Sequence, residues 1–513
     1  MNKSSSNKTM AKNTIMLYFR MMLTMCVSLF TSRVILQTLG VEDYGIYQTV
    51  GGIVGFMSFL NSALATGSSR FITFELGRGD FERLKLTFST TLLVHIALAL
   101  LIILLGETVG LWYVYNKLIV PETRFQAAVY CYHLSVVAAA IGITQVPYSA
   151  TIMSHEKMDI YAYISIVEVC LKLAIVYMLK IGNFDKLILY ATLFLLLNVG
   201  LRLFYRWYCS SHFPEAKFQM VFDKNIIKEI ATFSGWSLFA NASIALNSQG
   251  ILLLLNLFFS PAVVAARAIS LQVNGVVNQF VHNFRAAVNP QITKRWAQND
   301  LDGSRKLLLT STKYSFFLVY ILGLPIIFSA ENLLQLWLGI VPEYTVIFLQ
   351  LIIIQNFFGV FDSSLYQALY AKGRIKENAL VSPMVGFLRF PLTYILFKMG
   401  FSPVIFSVLC VISYFILGWI IKPIMLIKIV DYRLKDFYPL YLGTIKVVTL
   451  SMPFPLLFYF FVNTQIPNPI ASLLCQSFVT VLSIATTIWF FGVDKETQNK
   501  ILQLVKKKLP FKI

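Results

Sequence analysis

Apolar runs about as long as a membrane is thick recur along nearly the whole chain, and they restrict its fold more than any other feature. The 513 residues are 57% hydrophobic and 13% charged, whereas soluble domains carry about 25% charged residues. A hydrocarbon core of roughly 30 Å needs about 20 consecutive apolar residues per helix. The sequence therefore predicts an all-α polytopic membrane protein.

Fourteen such runs can be separated, and each is predicted to be a transmembrane helix. The stretch 379–422 is divided at Lys398-Met-Gly-Phe-Ser-Pro403, where glycine and proline mark a turn. The predicted spans are 14–36, 45–66, 87–106, 126–147, 159–179, 186–205, 231–256, 262–288, 311–330, 345–370, 379–397, 402–422, 437–461 and 468–491.

Lysine and arginine are unevenly distributed between the segments that connect these runs. Of the 43 basic residues, 31 lie in the terminal segments and alternate connections, and 5 lie in the opposite connections. Because cytoplasmic segments carry the excess of Lys and Arg, both termini are predicted to be cytoplasmic. This topology also explains the net charge of +19, so the charge no longer argues for a nucleic-acid partner.

Two parts of the chain resemble each other. Residues 72–80 align with 292–300 at an offset of 220, and Lys180-Ile-Gly182 aligns with Lys398-Met-Gly400. Each copy contains six helices, so the repeats are parallel, an arrangement typical of alternating-access transporters. The predicted domains are an N-lobe (1–205), a cytoplasmic linker (206–230), a C-lobe (231–428), and two further helices with a basic cytoplasmic tail (429–513).

Basic residues outnumber acids inside the predicted spans. A charge there costs on the order of 3 kcal/mol on insertion scales, so such residues usually face a cavity, a partner or the interface. Seven cations cannot all pair with two acids, and the surplus predicts a water-filled cavity that attracts anions. The basic residues are Arg20, Arg33, Lys172, Arg267, Arg285, Arg389 and Lys446, and the acids are Glu168 and Asp362.

One polar stripe runs along the span 262–288. Its residues fall within a helix face roughly 80° wide, which is predicted to line the cavity between the lobes. Interhelical hydrogen bonds are the alternative, with Arg285 reaching the cytoplasmic surface. His282 is either a proton-coupling group or a packed, hydrogen-bonded histidine. The stripe consists of Arg267, Asn274, Asn278, His282, Arg285 and Asn289.

The two basic residues of the first span each have two interpretations. Arg20 either lines the cavity or reaches back to the interface. Arg33 either faces the cavity or forms a structural ion pair with Glu42 and Asp43 near the outer surface.

Lys446, in the thirteenth span, is expected to reach a lipid headgroup.

The two acids are the candidates for ion coupling. Glu168 and Lys172 stand at i and i+4 with the acid N-terminal, the favourable order for an intrahelical pair. Asp362 is the nearest candidate partner of Arg389 by topology, or else an isolated proton or cation site.

Motifs for a cofactor, a metal or a catalytic reaction are lacking. The six cysteines are scattered without C-x-x-C or Cys/His spacing. The sequence Gly77-Arg-Gly-Asp80 lacks the G-x-x-x-x-G-K-[ST] frame of a phosphate loop. The chain is therefore predicted not to be an enzyme, and its energy source to be an ion gradient, the membrane potential or a downhill substrate.

The stretch from Ser32-Arg33 through Leu39-Gly40 to Tyr44-Gly45 resembles the start of bacterial polysaccharide flippases of the Wzx type. In that family, part of the multidrug/oligosaccharidyl-lipid/polysaccharide (MOP) exporter superfamily, an arginine near the end of helix 1 leads into Leu-Gly and then Tyr-Gly. The loop 70–80 is similar in style. The layout of six, six and two helices, with MATE-like lobes, matches over nearly the whole chain.

The resemblance implies a flippase for an undecaprenyl-diphosphate-linked oligosaccharide, an O-antigen (lipopolysaccharide) or capsule repeat unit. It would move from the cytoplasmic to the periplasmic leaflet of the inner membrane by alternating access through a cationic central cavity. Expected partners are this substrate, membrane lipids, and the glycan polymerase and glycosyltransferases of the same pathway. Arginine suits a diphosphate independently. The expected cavity residues are Arg20, Arg33, Lys172, Arg267, Asn274, Asn278, His282, Arg285 and Arg389.

A MATE-type cation-coupled antiporter for drugs or metabolites is the alternative function. A drug exporter for cations would be expected to place an acid in the first helix. This sequence has Arg20 and Arg33 there and no acid.

Overall fold

Helices account for nearly all of the residues that the structure describes, and no strand occurs among them. The computed structural model describes the backbone of residues 3–155, 157–181, 184–495, 497–499 and 503. It describes side chains from Met22 onward, except at 57–60, 62–63, 66–67, 158, 231–237, 240, 286–287, 375 and 464. The predicted all-α fold class is confirmed.

The described chain forms a series of α-helices, several of which continue into one another. Turns of π-helix at Gly106–Gly110, Leu246–Gly250 and Ile416–Ile421 each join two consecutive α-helical segments. The helices are α1 (Lys3–Arg78), α2 (Phe81–Leu105), α3 (Leu111–Asn116), α4 (Phe125–Ser154), α5 (Met158–Met178), α6 (Lys186–His212), α7 (Lys224–Ala245), α8 (Ile251–Phe258), α9 (Pro261–Ala297), α10 (Leu301–Phe328), α11 (Ala330–Leu338), α12 (Thr345–Ala371), α13 (Ile375–Lys398), α14 (Ile405–Phe415), α15 (Lys422–Val430), α16 (Leu434–Ser451), α17 (Pro453–Phe461) and α18 (Pro469–Thr487).

Twelve described helical stretches are long and apolar enough to cross a membrane. Two differences account for the step from fourteen predicted spans to twelve. The first two predicted helices are joined in α1, which breaks at Gly40 (φ 85°, ψ 168°). The predicted span 262–288 is the helix α9, whose polar stripe makes it less apolar than the others. The fourteen-helix arrangement is therefore consistent with the structure.

The internal repeat extends to backbone conformation. Asp80 caps α2 and Asp300 caps α10, each by accepting a hydrogen bond from the backbone N–H three residues later (3.0 and 2.9 Å). The residue before each cap has a positive φ, 74° at Gly79 and 60° at Asn299. The aligned stretches thus form the same turn and helix start. In the second aligned pair, Gly182 lies outside the described residues.

The glycines of the Leu-Gly and Tyr-Gly pairs are required by shape. Gly40 adopts the positive φ at the break in α1, a conformation that favours glycine. At Gly45, a Cβ atom would lie 2.0 Å from the carbonyl oxygen of Pro261, so the backbone of α1 meets the start of α9 without room for a side chain.

The chain divides into two compact units. The first unit comprises Met1–Ala268 and Pro383–Pro403, and the second comprises Ile269–Ser382 and Val404–Ile513. In the first unit α4 packs against α1, α2 and α6, while α1 also packs against α7. In the second unit α10 packs against α12, and the C-terminal helices α16 and α18 pack against α10. The lobe boundaries expected from the sequence repeat stay a prediction.

Candidate functional site

Most of the polar stripe of α9 lies in the second unit, where it packs against α12. Three hydrogen bonds there join residues that are 78 positions apart. They are Asn278–Asn356 (3.3 Å), Arg285 to the carbonyl oxygen of Ser363, and Gln367 to the carbonyl oxygen of Asn289 (3.4 Å). Because residue numbers increase together along both helices, α9 and α12 run parallel. The predicted topology, in which both spans run from outside to inside, requires the same direction.

Three asparagines form one hydrogen-bonded cluster in this interface. The Oδ1 atom of Asn274 accepts from Asn356 Nδ2 (2.7 Å) and from Asn278 Nδ2 (3.0 Å). At these positions the stripe makes interhelical hydrogen bonds, which was the alternative to lining a cavity. His282, on the same helix, is exposed. Arg267, in the part of α9 that belongs to the first unit, is 2% exposed.

A second polar cluster in the same unit surrounds Asp362. The carboxylate lies 3.1 Å from Lys422 Nζ and accepts from Ser382 Oγ at 3.4 Å. Lys422 also donates to Ser382 Oγ (3.0 Å) and to Asn378 Oδ1, and it is 1% exposed. Asp362 in addition interacts electrostatically with Arg285. One carboxylate thus serves two cations.

Sequence reasoning missed Lys422, because the topology assignment placed it in a cytoplasmic connection. Its ion pair gives Asp362 a lysine partner that neither interpretation of this acid had considered. The available signal was that apolar residues continue past Lys422, at 423–427 and, after Lys428, at Ile429 and Val430, and this segment continues the helix as α15. Apolar residues on both sides of a lysine favour a position inside a span over one at its end.

In the first unit, Arg389 is held by a neutral amide. Its Nε and Nη2 atoms both donate to Asn247 Oδ1, at 2.9 and 2.6 Å. Asn247 lies in the π-helical turn and donates in turn to the carbonyl oxygen of Ser243 (2.8 Å). Arg389 is only 7% exposed. An amide oxygen carries no formal charge, so this hydrogen bond orients the guanidinium without neutralising it.

Glu168 and Lys172 form the intrahelical ion pair that their spacing predicts, with 2.6 Å between Oε1 and Nζ. The side chains are 31% and 38% exposed. The Lys172 ammonium also lies 5.8 Å from the centre of the Phe194 ring. The pair is close to neutral overall.

Near the break in α1, Asp43 forms an ion pair with Arg124, whereas the sequence had suggested Arg33 as a partner. Arg124 bridges Asp43 and Asp185, with closest N–O distances of 2.5 Å to each. Arg33 is half-buried, and the side chain of Arg20 lies outside the described residues.

Lys446 lies over an aromatic ring, with its ammonium 4.7 Å from the centre of Phe491. This contact holds the ammonium beside the C-terminal helices. Within the described part of the chain, no three His, Cys, Asp or Glu residues are placed to hold a metal ion.

No protein-family model and no curated protein sequence matches the chain. Solved structures do match it. Lipid II flippase MurJ, in an inward closed conformation, is 13% identical with a TM-score of 0.69, covering 94% of this chain and 98% of that one. An inward-facing MATE multidrug resistance transporter of the MOP superfamily is 13% identical with a TM-score of 0.62, covering 80% and 98%.

The MATE multidrug transporter DinF-BH is 14% identical with a TM-score of 0.57, covering 82% of this chain and 95% of that one. Identities this low show the fold and no more. The chain therefore has the fold shared by MurJ and the MATE transporters.

Proposed function

We propose that the protein is a transporter of the MOP type that flips an anionic, lipid-linked oligosaccharide across the bacterial inner membrane. The substrate class is an undecaprenyl-diphosphate-linked O-antigen or capsule repeat unit, moved from the cytoplasmic to the periplasmic leaflet by alternating access. The observation that carries the proposal is a cluster of basic side chains in which two cations, Lys422 and Arg285, share the carboxylate of Asp362.

Asp362 lies 3.1 Å from Lys422 Nζ and also interacts electrostatically with Arg285, so two cations share one carboxylate. Arg389 donates to the neutral Asn247 amide. A diphosphate offers several anionic oxygens in the geometry that a guanidinium forks around. Binding such a group would supply further countercharge to these basic side chains.

The substrate-binding residues under this proposal are those expected from the sequence. Arg267, Arg285 and Arg389 are the main anion-binding groups. The polar side chains of α9 would assist, and the paired Lys172 contributes least because Glu168 neutralises it. MurJ carries lipid II in its name, and a lipid-linked substrate for the present chain is consistent with the shared fold. Cytoplasmic termini, and a polymerase and glycosyltransferases as partners, belong to the same proposal.

A cation-coupled drug antiporter fits the same fold but fits these charges less well. Both acids placed inside the membrane already have a lysine within hydrogen-bonding reach, at 2.6 Å for Glu168 and 3.1 Å for Asp362. A cationic drug would have to displace a tethered ammonium. Drug resistance on expression in an exporter-deficient strain would favour the antiporter.

The test removes the anion-binding charge and follows the lipid-linked glycan in cells that lack the wild-type gene. Arg267→Ala and Arg389→Ala should each insert normally but lower export on the order of tenfold, because a lost charge-assisted hydrogen bond costs about 1.5–3 kcal/mol. The readouts are surface glycan and lipid-linked oligosaccharide retained in the inner leaflet.

Arg374→Ala is the matched control, because Arg374 is 61% exposed and pairs only locally with Glu377. It should export normally. Normal surface glycan from well-expressed Arg267→Ala and Arg389→Ala variants would overturn the proposed function.

A further inference from the structure

The side chain of Lys422 is bound as a free cation would be. An ammonium has three N–H donors, and three oxygens surround this one: a carboxylate at Asp362, a hydroxyl at Ser382 (3.0 Å) and an amide oxygen at Asn378. The Tyr366 ring adds a fourth contact at 5.8 Å from Nζ. The ammonium thus donates two hydrogen bonds and forms one ion pair.

The oxygens come from elements other than that of the lysine. Asp362 and Tyr366 lie on α12, Asn378 and Ser382 lie on the N-terminal part of α13, and Lys422 begins α15. Ser382 Oγ also donates to Asp362 and contacts Asn378 Oδ1 at 3.3 Å. The oxygen-lined site is thus built by α12 and α13, and the lysine is inserted into it from a third helix.

The backbone around Lys422 is irregular. The π-helical turn Ile416–Ile421 ends immediately before it, and Pro423 follows it. Turns of π-helix are rare and occur often at functional sites, and proline lacks a backbone donor. The π-helical turn and Pro423 are the two departures from regular α-helix beside Lys422.

We propose that Asp362, Asn378 and Ser382 form a binding site for a monovalent cation of the primary ammonium class, and that Lys422 fills it as a tethered cation. The protein then carries its own counter-ion at Asp362 and needs no ion from solution there. Removing the lysine side chain would leave an oxygen-lined cavity that binds a free alkylammonium.

The experiment is thermal unfolding of the full-length protein in detergent, which does not depend on what the protein transports. Lys422→Ala removes the three methylenes and the ammonium, which together match n-propylammonium. We expect a Tm about 4 °C below wild type, because removing one member of a buried ion pair leaves the other charge uncompensated. Adding n-propylammonium chloride at about 50 mM should restore about half of that loss through ligand binding.

Two controls separate binding at the site from a general salt effect. Tetramethylammonium has the same charge but no N–H donor, so it should not raise the Tm of Lys422→Ala. The variant Asp362→Asn/Lys422→Ala should gain nothing from n-propylammonium. Equal effects of the two salts, or no effect of either, would overturn the proposal.

If Lys422→Ala does not yield folded protein, a second set of variants tests the same site. Lys422→Met fills the space and removes the ammonium from the carboxylate, whereas Asp362→Asn/Lys422→Met removes both charges of the pair and is similar in shape. The double variant should give several-fold more monodisperse protein than Lys422→Met, measured by size-exclusion chromatography. Equal yields would contradict a cation site at Asp362.

Discussion

At the scale of single residues, Arg124 shows how one side chain connects segments far apart in sequence. It contacts Asp43 within α1 and Asp185, which caps α6 by accepting from the N–H groups of Leu187 and Ile188. The hydrogen bond from Arg124 is the main reason why the pKa of Asp185 lies below its ordinary value of 3.8. This bridge joins three elements of the first unit.

Replacing Arg124 by Gln should therefore destabilise the protein in a pH-dependent manner. A folded-state pKa below the unfolded value means that the interaction stabilises above the unfolded pKa and is lost as the pH falls through the folded pKa. We expect the Tm to drop by about 2 °C at neutral pH, and the difference from wild type to shrink below about pH 4. Thermal unfolding at several pH values measures this. The exposed Arg374→Gln should show little effect, and a Tm difference that persists unchanged in acid would refute the assigned role of Asp185.

At the scale of elements, close packing and shared polar contacts decide which helices are neighbours. Three hydrogen bonds between α9 and α12 each join residues 78 positions apart, so the two helices run parallel. In the first unit, Gly45 allows α1 to approach the first residue of α9. Small residues permit such backbone contact, which drives helix association where lipid offers no hydrophobic driving force.

Gly45→Ala should disrupt that approach. A methyl group 2.0 Å from a backbone carbonyl oxygen cannot be accommodated by rotating a side chain, so we expect a Tm lower by about 5 °C or more. Gly51→Ala is the matched control on the same helix, because a Cβ there meets nothing within 4 Å. The control should be neutral or stabilising, since alanine is the better helix former. Equal Tm values for the two variants would contradict the packing argument.

At the scale of the whole molecule, the direction of the helices constrains membrane topology. With α9 and α12 parallel, the chain between them must return across the membrane, and α10 is the long apolar helix that lies between. The turn before α10 is predicted to be cytoplasmic, because the basic residues 294, 295, 305 and 306 lie beside it. The hydrogen bonds give the relative direction of the helices, and the charge distribution predicts which side faces the cytoplasm.

Cysteine labelling in intact cells tests this orientation. In a background without native cysteines, Lys117→Cys should react with a membrane-impermeant maleimide added outside, because residue 117 is predicted to lie in an outer connection. Asp302→Cys, at a side chain that is 96% exposed, should react only after the membrane is permeabilised. Labelling of Asp302→Cys in sealed cells would require the opposite topology.

The sequence by itself determined the helical class, the arrangement of spans and the turn repeated at Asp80 and Asp300. Hydrophobicity and helix capping depend on residues that are close together in sequence. A run of apolar residues therefore predicts a membrane helix, and the aspartate after Gly79 predicts the start of a helix. The pair Glu168–Lys172 was predictable for the same reason, since both residues lie one turn apart on one helix.

Only the tertiary structure decided which polar groups meet across helices. Arg389 finds Asn247 at a separation of 142 residues, and Asp362 finds Lys422 at 60. Neither partner follows from spacing, because each depends on how two distant helices are rotated against each other. Lys422 illustrates the difference: its charge argued for a cytoplasmic end, whereas packing around it placed the ammonium among three oxygens inside the protein.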